Sequence, residues 1–224
     1  MSAALRKSSA SAFVSSPTPR KADRPALWIV AGPNGSGKST FYNRTDVEGW
    51  GGSIWIINPD LLTQTVVERE GLPLADANLA SVQRIEQWLD ASIDTYQTIG
   101  VETVLSSPKY RRLVTRAQER GFLVKMIYVT LASAELQLRR IAVRVAHGGH
   151  DVPADKVRDR RRRSFQELAW FAQHVDQCSI FENSVGEPEL VASLSHGQLM
   201  QYGDLPTDLA STLIEAGVPL IDTR

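Results

Sequence analysis

The sequence predicts an α/β domain, a parallel β-sheet flanked by helices, with a helical arginine-bearing lid. Three observations predict it. Ala26-Leu27-Trp28-Ile29-Val30-Ala31 is apolar at every position, as a strand covered on both faces should be. Strand-length apolar runs then alternate with stretches of helical period, the order that builds a parallel sheet with helices on both faces. A glycine-rich turn follows the first strand directly, and a helix-forming stretch follows the turn.

Each element has its own signal. After the turn, Lys38-Ser39-Thr40-Phe41-Tyr42 opens a helix. A second apolar run, Ile54-Trp55-Ile56-Ile57, ends at Asn58-Pro59-Asp60, read as a turn at the strand's carboxyl end. Leu79, Val82, Ile85, Leu89, Ile93 and Tyr96 recur at three- and four-residue spacing, which predicts a helix over 78–99, with Gly100 as its stop. A short strand follows over 101–105, a helix over 110–120 stopped by Gly121, and a strand over 122–131. Ser133 caps the next helix, with Glu135 in its first turn; it runs to about Ala146. Gly148-Gly149 breaks it, and Pro153 starts another helix that runs to about His174. Ser179–Glu182 reads as the last core strand, followed by a strand near 190–194 and a short helix near 208–216.

Length and composition set the frame. The chain has 224 residues, 42% hydrophobic and 22% charged, which suits one soluble domain with a sizeable core. Lys+Arg and Asp+Glu are 25 each, so net charge argues neither for nor against a nucleic-acid partner. The single cysteine, Cys178, excludes a disulfide framework and a cysteine zinc site. It reads as a buried strand residue in a reducing cytoplasm. No apolar run approaches the length of a membrane span. Residues 1–25 are rich in Ser, Arg and Lys with one acid, Asp23. That composition predicts a disordered tail; a transit peptide would share the Arg/Ser bias but needs an amphipathic helix. Residues 26–224 form the folded domain.

The glycine-rich turn carries the chemistry. Gly32-Pro33-Asn34-Gly35-Ser36-Gly37-Lys38-Ser39 satisfies G-x-x-x-x-G-K-[ST], with the strand before and the helix after that this motif requires. Glycines let successive backbone N–H groups face a phosphate chain. Lys38 reaches the β- and γ-phosphates, and the Ser39 hydroxyl ligates Mg²⁺. Thr40 completes the ATP-binding set. The motif predicts a P-loop NTPase fold with ATP and Mg²⁺ as cofactors. The compact chain fits a kinase better than a motor or a transporter ATPase.

A kinase needs an acceptor side. In an open α/β sheet, ligands bind at the carboxyl ends of the strands. Asp60 follows the second apolar run, and Glu102 lies among Val101, Val104 and Leu105. A carboxylate in apolar surroundings is costly unless it has a task or a partner. Asp60 reads as the general base, against a plain turn acid. Glu102 reads as an acceptor for substrate hydroxyls, against a structural ion pair.

Arginines cluster at Arg139, Arg140, Arg144, Arg158 and Arg160–Arg163, on two helices joined by Gly-Gly. Such a pair makes a mobile lid whose arginines bind phosphates and stabilise transferring charge. Four consecutive arginines point in four directions, so several of them belong to a solvated face. His147 and His150 flank the hinge with no third metal ligand, so contact with phosphate or substrate is the preferred reading.

Taken together, these pieces resemble the zeta-toxin family of P-loop kinases. The likeness spans Leu27 to Ser184 and rests on ordered matches. These are Ala31-Gly-Pro-Asn-Gly-Ser-Gly-Lys-Ser-Thr40, Asn58-Pro-Asp60, Val101-Glu-Thr103, Arg140-Ile-Ala-Val-Arg144, Gly148-Gly-His-Asp-Val-Pro153 and Glu182-Asn-Ser184. The family's toxin members phosphorylate UDP-N-acetylglucosamine on a sugar hydroxyl and so block cell-wall synthesis. The resemblance implies Asp60 as catalytic base, Glu102 with Thr103 and His150 on the substrate, and Arg144 and Arg158 as lid arginines on the phosphates, with Arg160, Arg161 or Arg162 as alternatives to Arg158 one turn on. It places Asn183 near the adenine and implies an antitoxin as partner. In the toxins the substrate acid is followed by Gly-Thr, whereas here Thr103-Val104 follows, so the acceptor pocket departs from theirs.

Overall fold

The computed structural model describes residues 24–44, 54–147 and 152–224. All of the expected tail except Arg24 and Pro25 lies outside the described residues. So do Gly148, Gly149 and His150.

Eight strands among the described residues form one sheet. They are β1 (Ala26–Ala31), β2 (Ile56–Ile57), β3 (Ile99–Thr103), β4 (Leu123–Thr130), β5 (Gln177–Glu182), β6 (Glu189–Ser195), β7 (Gln198–Gln201) and β8 (Leu220–Asp222), in the spatial order 2-3-1-4-5-6-7-8. The first five in that order are mutually parallel. β6 turns back against β5 and β7 against β6, while β8 runs parallel to β7. The helices are α1 (Lys38–Arg44), α2 (Pro59–Glu70), α3 (Leu74–Asp94), α4 (Arg111–Glu119), α5 (Ala134–Ala146), α6 (Ala154–Ala172) and α7 (Thr207–Glu215).

β1 is central because it is apolar on both faces. All six of its residues are buried. Leu27, Ile29 and Ala31 join the larger core with α3, α4 and α6; Ala26 and Trp28 join the smaller one with Phe41 of α1. The register brings Glu102 beside Val30 and Thr103 beside Ala31. The acid on β3 is thereby fixed next to the turn that leaves β1.

Three sequence expectations change. Asn58-Pro59-Asp60 does not close a turn but starts α2: Asn58 caps it, its side chain accepting from the Asp60 and Leu61 N–H groups, and Pro59 fits the first helical position. Gly100 does not stop α3. The helix begins after Pro73, four residues earlier than its apolar period suggests, and ends at Asp94, with Thr95 as its C-cap and Tyr96 in the left-handed region at φ 56°. Gly100 lies in β3, where a Cβ would sit 3.2 Å from Trp28 Cβ, so the glycine serves close strand packing. The sheet also continues beyond the expected strands into β7 and β8, both too short for periodicity to register. Among the described residues no helix is long and apolar enough to cross a membrane.

Candidate functional site

The P-loop curls because its glycines adopt backbone angles closed to other residues. Gly32 has φ +144°, and a Cβ there would lie 2.1 Å from the Val129 carbonyl oxygen of β4. Gly37 has φ +93°, and its Cβ would lie 2.4 Å from Asn183 Nδ2. Asn183, just past β5, donates that amide to the Ser36 carbonyl at 2.7 Å and its backbone N–H to Thr130 O at 3.1 Å. The loop is thus held from below by β4 and from the side by the end of β5.

Lys38 is buried. Its ammonium donates to the Gly32 and Pro33 carbonyls at 2.9 and 3.3 Å and lies 3.8 Å from Glu102 Oε1. Burial pulls its pKa below the usual lysine value, while Glu102 and Asp60 push upward and Arg144 downward. Around Glu102 Oε2 three donors converge: Ser39 Oγ at 2.8 Å, Tyr42 OH at 2.9 Å and Asn58 Nδ2 at 2.8 Å. Desolvation raises the Tyr42 phenol pKa, so it stays protonated and able to donate.

A cleft of about 540 Å³ opens over this arrangement. The P-loop lines it from Asn34 to Thr40, except Ser36, and Asp60, Glu102, Arg144 and Asn183 line it from other elements. All of these residues are expected at the site from the sequence. Val104 and Arg140 also line it and carried no individual role there. Arg140 donates to the Ser184 carbonyl at 3.1 Å, tying α5 to the end of β5. Its signal was the spacing to Arg144, one helical turn apart on the same face.

Other expected site residues are not among those lining the cleft. Arg158, on α6, lies 3.6 Å from Glu135 Oε1 of α5, and both are largely exposed. Thr103 Oγ1 accepts from the Leu105 N–H. Arg161, one of the four consecutive arginines, is buried. It makes a bidentate bond to Asp208 and donates to Leu131 O, so its part is structural. Tyr42 and Asn58 were quoted in motifs or elements without a function. Only the fold shows that they meet Glu102.

The site fits a magnesium nucleotide. Ser36 Oγ and Asn34 Oδ1 are buried in the P-loop with no partner among the described residues, as expected of groups shaped for a polar ligand. The Ser39 hydroxyl and the Glu102 carboxylate offer hard oxygen donors of the kind Mg²⁺ takes. Among the described residues no cluster of three or more His, Cys, Asp or Glu side chains could hold a metal by itself.

Comparison with known families decides the broad class. A family model described as an AAA domain (AAA_33) matches residues 27–168. The chain belongs to this AAA domain family. A curated relative of this AAA domain, an uncharacterized protein of Haemophilus influenzae, is 28% identical over 146 residues, covering 61% of this chain and 98% of its own length. Two solved structures share the fold. A chain of the AvrRxo1-ORF1:-ORF2 complex with ATP aligns at TM-score 0.60 and 18% identity over 85% of this chain. The present chain spans only 63% of that one. A chain of the PezAT chromosomal toxin–antitoxin system of Streptococcus pneumoniae aligns at TM-score 0.55 and 13% identity, covering 87% of this chain and 86% of its own. The AAA domain is therefore an α/β domain with a P-loop NTPase-like fold.

Proposed function

We propose that this protein is an ATP/Mg²⁺-dependent kinase of the zeta-toxin type, transferring the γ-phosphate to a hydroxyl of a small substrate. UDP-N-acetylglucosamine or a related nucleotide sugar is the favoured acceptor. The observation that carries the proposal is the meeting of Asp60 with Lys38, Ser39 and Arg144 in one cleft. A carboxylate facing a phosphate cradle is what transfer to a hydroxyl needs and what nucleotide binding alone does not.

In this reading the P-loop N–H groups and Lys38 hold the β- and γ-phosphates. Asn183 stands at the adenine side. Ser39 would hold Mg²⁺, with Glu102 beside it, and the ion when bound neutralises charge on the β- and γ-oxygens. Asp60 accepts the proton of the attacking hydroxyl. Arg144 and Arg158 are assigned to the charge that develops on the transferring group. Glu102 Oε1, with Thr103 and His150, is assigned to the acceptor. Residues 26–224 act as one kinase domain behind the 1–25 tail. The protein works in the cytoplasm, where its nucleotide substrates are, and a neutralising antitoxin covers the nucleotide site.

The test is incubation with Mg-ATP and a panel of nucleotide sugars, other small metabolites and polynucleotide 5′ ends, following ADP release and product mass. A phosphorylated UDP-N-acetylglucosamine supports the toxin-type reading. A modified product of another kind moves the acceptor while keeping the kinase. ATP binding with no acceptor-dependent turnover ends the reading in favour of a nucleotide-binding partner protein.

A further inference from the structure

One side chain bridges the two halves of the site. Asn58 lies between β2 and α2, with extended backbone at φ −99° and ψ 114°. Its Oδ1 accepts from the Asp60 N–H at 3.0 Å and the Leu61 N–H at 3.2 Å. Its Nδ2 donates to Glu102 Oε2 at 2.8 Å, the oxygen that also accepts from Ser39. The partners fix which end of the amide is which, since two N–H groups face the oxygen and a carboxylate faces the nitrogen.

Apolar packing of Ile57 and Leu62 and the Thr63–Asn78 hydrogen bond hold α2 to the core, but toward the P-loop its start has few other polar links. β2 has only two residues, and Pro59 has no N–H to give. Asp60 itself is exposed and follows two residues after the amide. Asp60 is thereby linked to the P-loop through its N–H, the Asn58 amide and Glu102, which accepts from Ser39, and through longer contacts of the same amide nitrogen with Ser39 Oγ at 3.4 Å and with Tyr42 OH of α1 at 3.3 Å. Glu102 in turn is fixed by β3 against β1, opposite Val30.

We infer that Asn58 is a positioning residue, a bracket that sets the distance between the Asp60 carboxylate and the P-loop. The inference rests on the kinase reading above. An asparagine suits the task because one short side chain supplies both an acceptor for the helix start and a donor for the carboxylate. Aspartate or serine can cap a helix as well as asparagine, but an ionised aspartate cannot donate. A serine hydroxyl is too short to cap the helix and reach Glu102 together.

That difference separates a bracket from a plain cap. Asn58→Asp and Asn58→Ser both keep the helix cap and both lose the bond to Glu102. Asn58→Ser is expected to unfold at nearly the wild-type midpoint and Asn58→Asp below it, since its carboxylate faces that of Glu102; both should keep the ATP KM within about threefold. Each should lower kcat by about 10- to 100-fold, the penalty for a misplaced catalytic group. Using two variants removes charge as an explanation, since one adds a carboxylate and the other does not. Wild-type kcat in both variants overturns the inference, because a cap alone would survive both changes. Asn58→Ala, lacking cap and bond, should lose both midpoint and kcat. The kinase reading fails separately, if the wild-type protein turns over no acceptor. The bracket is then decided by a double-mutant cycle on unfolding free energy between Asn58→Ala and Glu102→Ala, a readout that needs no turnover and in which the cap, independent of Glu102, cancels. Non-additive losses support it, and additive losses overturn it.

Discussion

Asn183 and Ser36 are 147 positions apart in the chain and joined by a hydrogen bond of 2.7 Å, from the asparagine amide to the P-loop carbonyl. The bond exists because Gly37, next to Ser36, has no side chain: its Cβ would occupy the place of the Asn183 amide, 2.4 Å away. Gly37→Ala should therefore weaken ATP binding by about tenfold or more, since it forces a positive-φ residue and evicts the amide at once. In an Asn183→Ala background the collision disappears and only the backbone penalty remains. Calorimetric titration with ATP should show Gly37→Ala costing less in that background than in the wild type. Equal costs in both would mean that Asn183 moves aside freely.

Asp60 gives the direct test of chemistry. Asp60→Asn keeps the size of the side chain and removes the base. Turnover should fall by about 10²- to 10⁴-fold, with ATP binding nearly unchanged. Steady-state kinetics and ATP titration together check this, and unchanged kcat would remove Asp60 from the mechanism.

Much of this site was legible in the sequence, and the reason is local. The P-loop is eight consecutive residues flanked by a strand and a helix, so motif and context are read in one window. Asp60 and Glu102 could be placed at the carboxyl end of the sheet because each lies at or within a strand there, whereas Arg144 came from the arginine cluster and the family resemblance. What could not be read was contact between distant side chains. Tyr42, Asn58 and Ser39 meet on Glu102 only through the β1–β3 register. Gly100 misled because glycine marks a helix end and a close strand contact equally well. α2 was hidden for another reason: Leu61, Leu62, Val66 and Val67 make a weak apolar stripe, and Asn58-Pro59-Asp60 suits a turn as well as a helix start. Arg161 was one of four arginines in a row, and nothing local distinguishes the buried one.

Cys178 predicts an alkaline weakness. It is buried in β5 with a free thiol, and burial pushes its pKa from 9.0 up to about 12. Above pH 9 the unfolded chain loses this proton while the folded chain keeps it. The folded state then binds more protons, and stability falls as pH rises through that window. Tyr128, also buried and shifted upward, acts in the same sense at higher pH. Urea unfolding across alkaline pH should show the decline, and Cys178→Ala should flatten its lower part. The thiol should also resist alkylation in the native protein and react only as fast as the protein opens.

Arg161 and Asp208 should show unequal costs, though they share one bidentate ion pair. Arg161 has a side chain only 2% exposed, whereas Asp208 is 53% exposed. Removing the arginine leaves an aspartate that water can solvate, so Arg161→Met should cost about 1.5–3 kcal/mol, the worth of the lost charged hydrogen bonds. Removing the aspartate strands a guanidinium beneath α7, with the Leu131 carbonyl as its remaining hydrogen-bond partner. Asp208→Ala should therefore cost more, about 3–5 kcal/mol, as breaking a buried pair from its exposed side does. Both losses should appear in urea unfolding while kcat of the surviving folded protein stays near wild type, because neither residue lines the cleft. Equal costs would mean that water reaches Arg161 once its partner is gone.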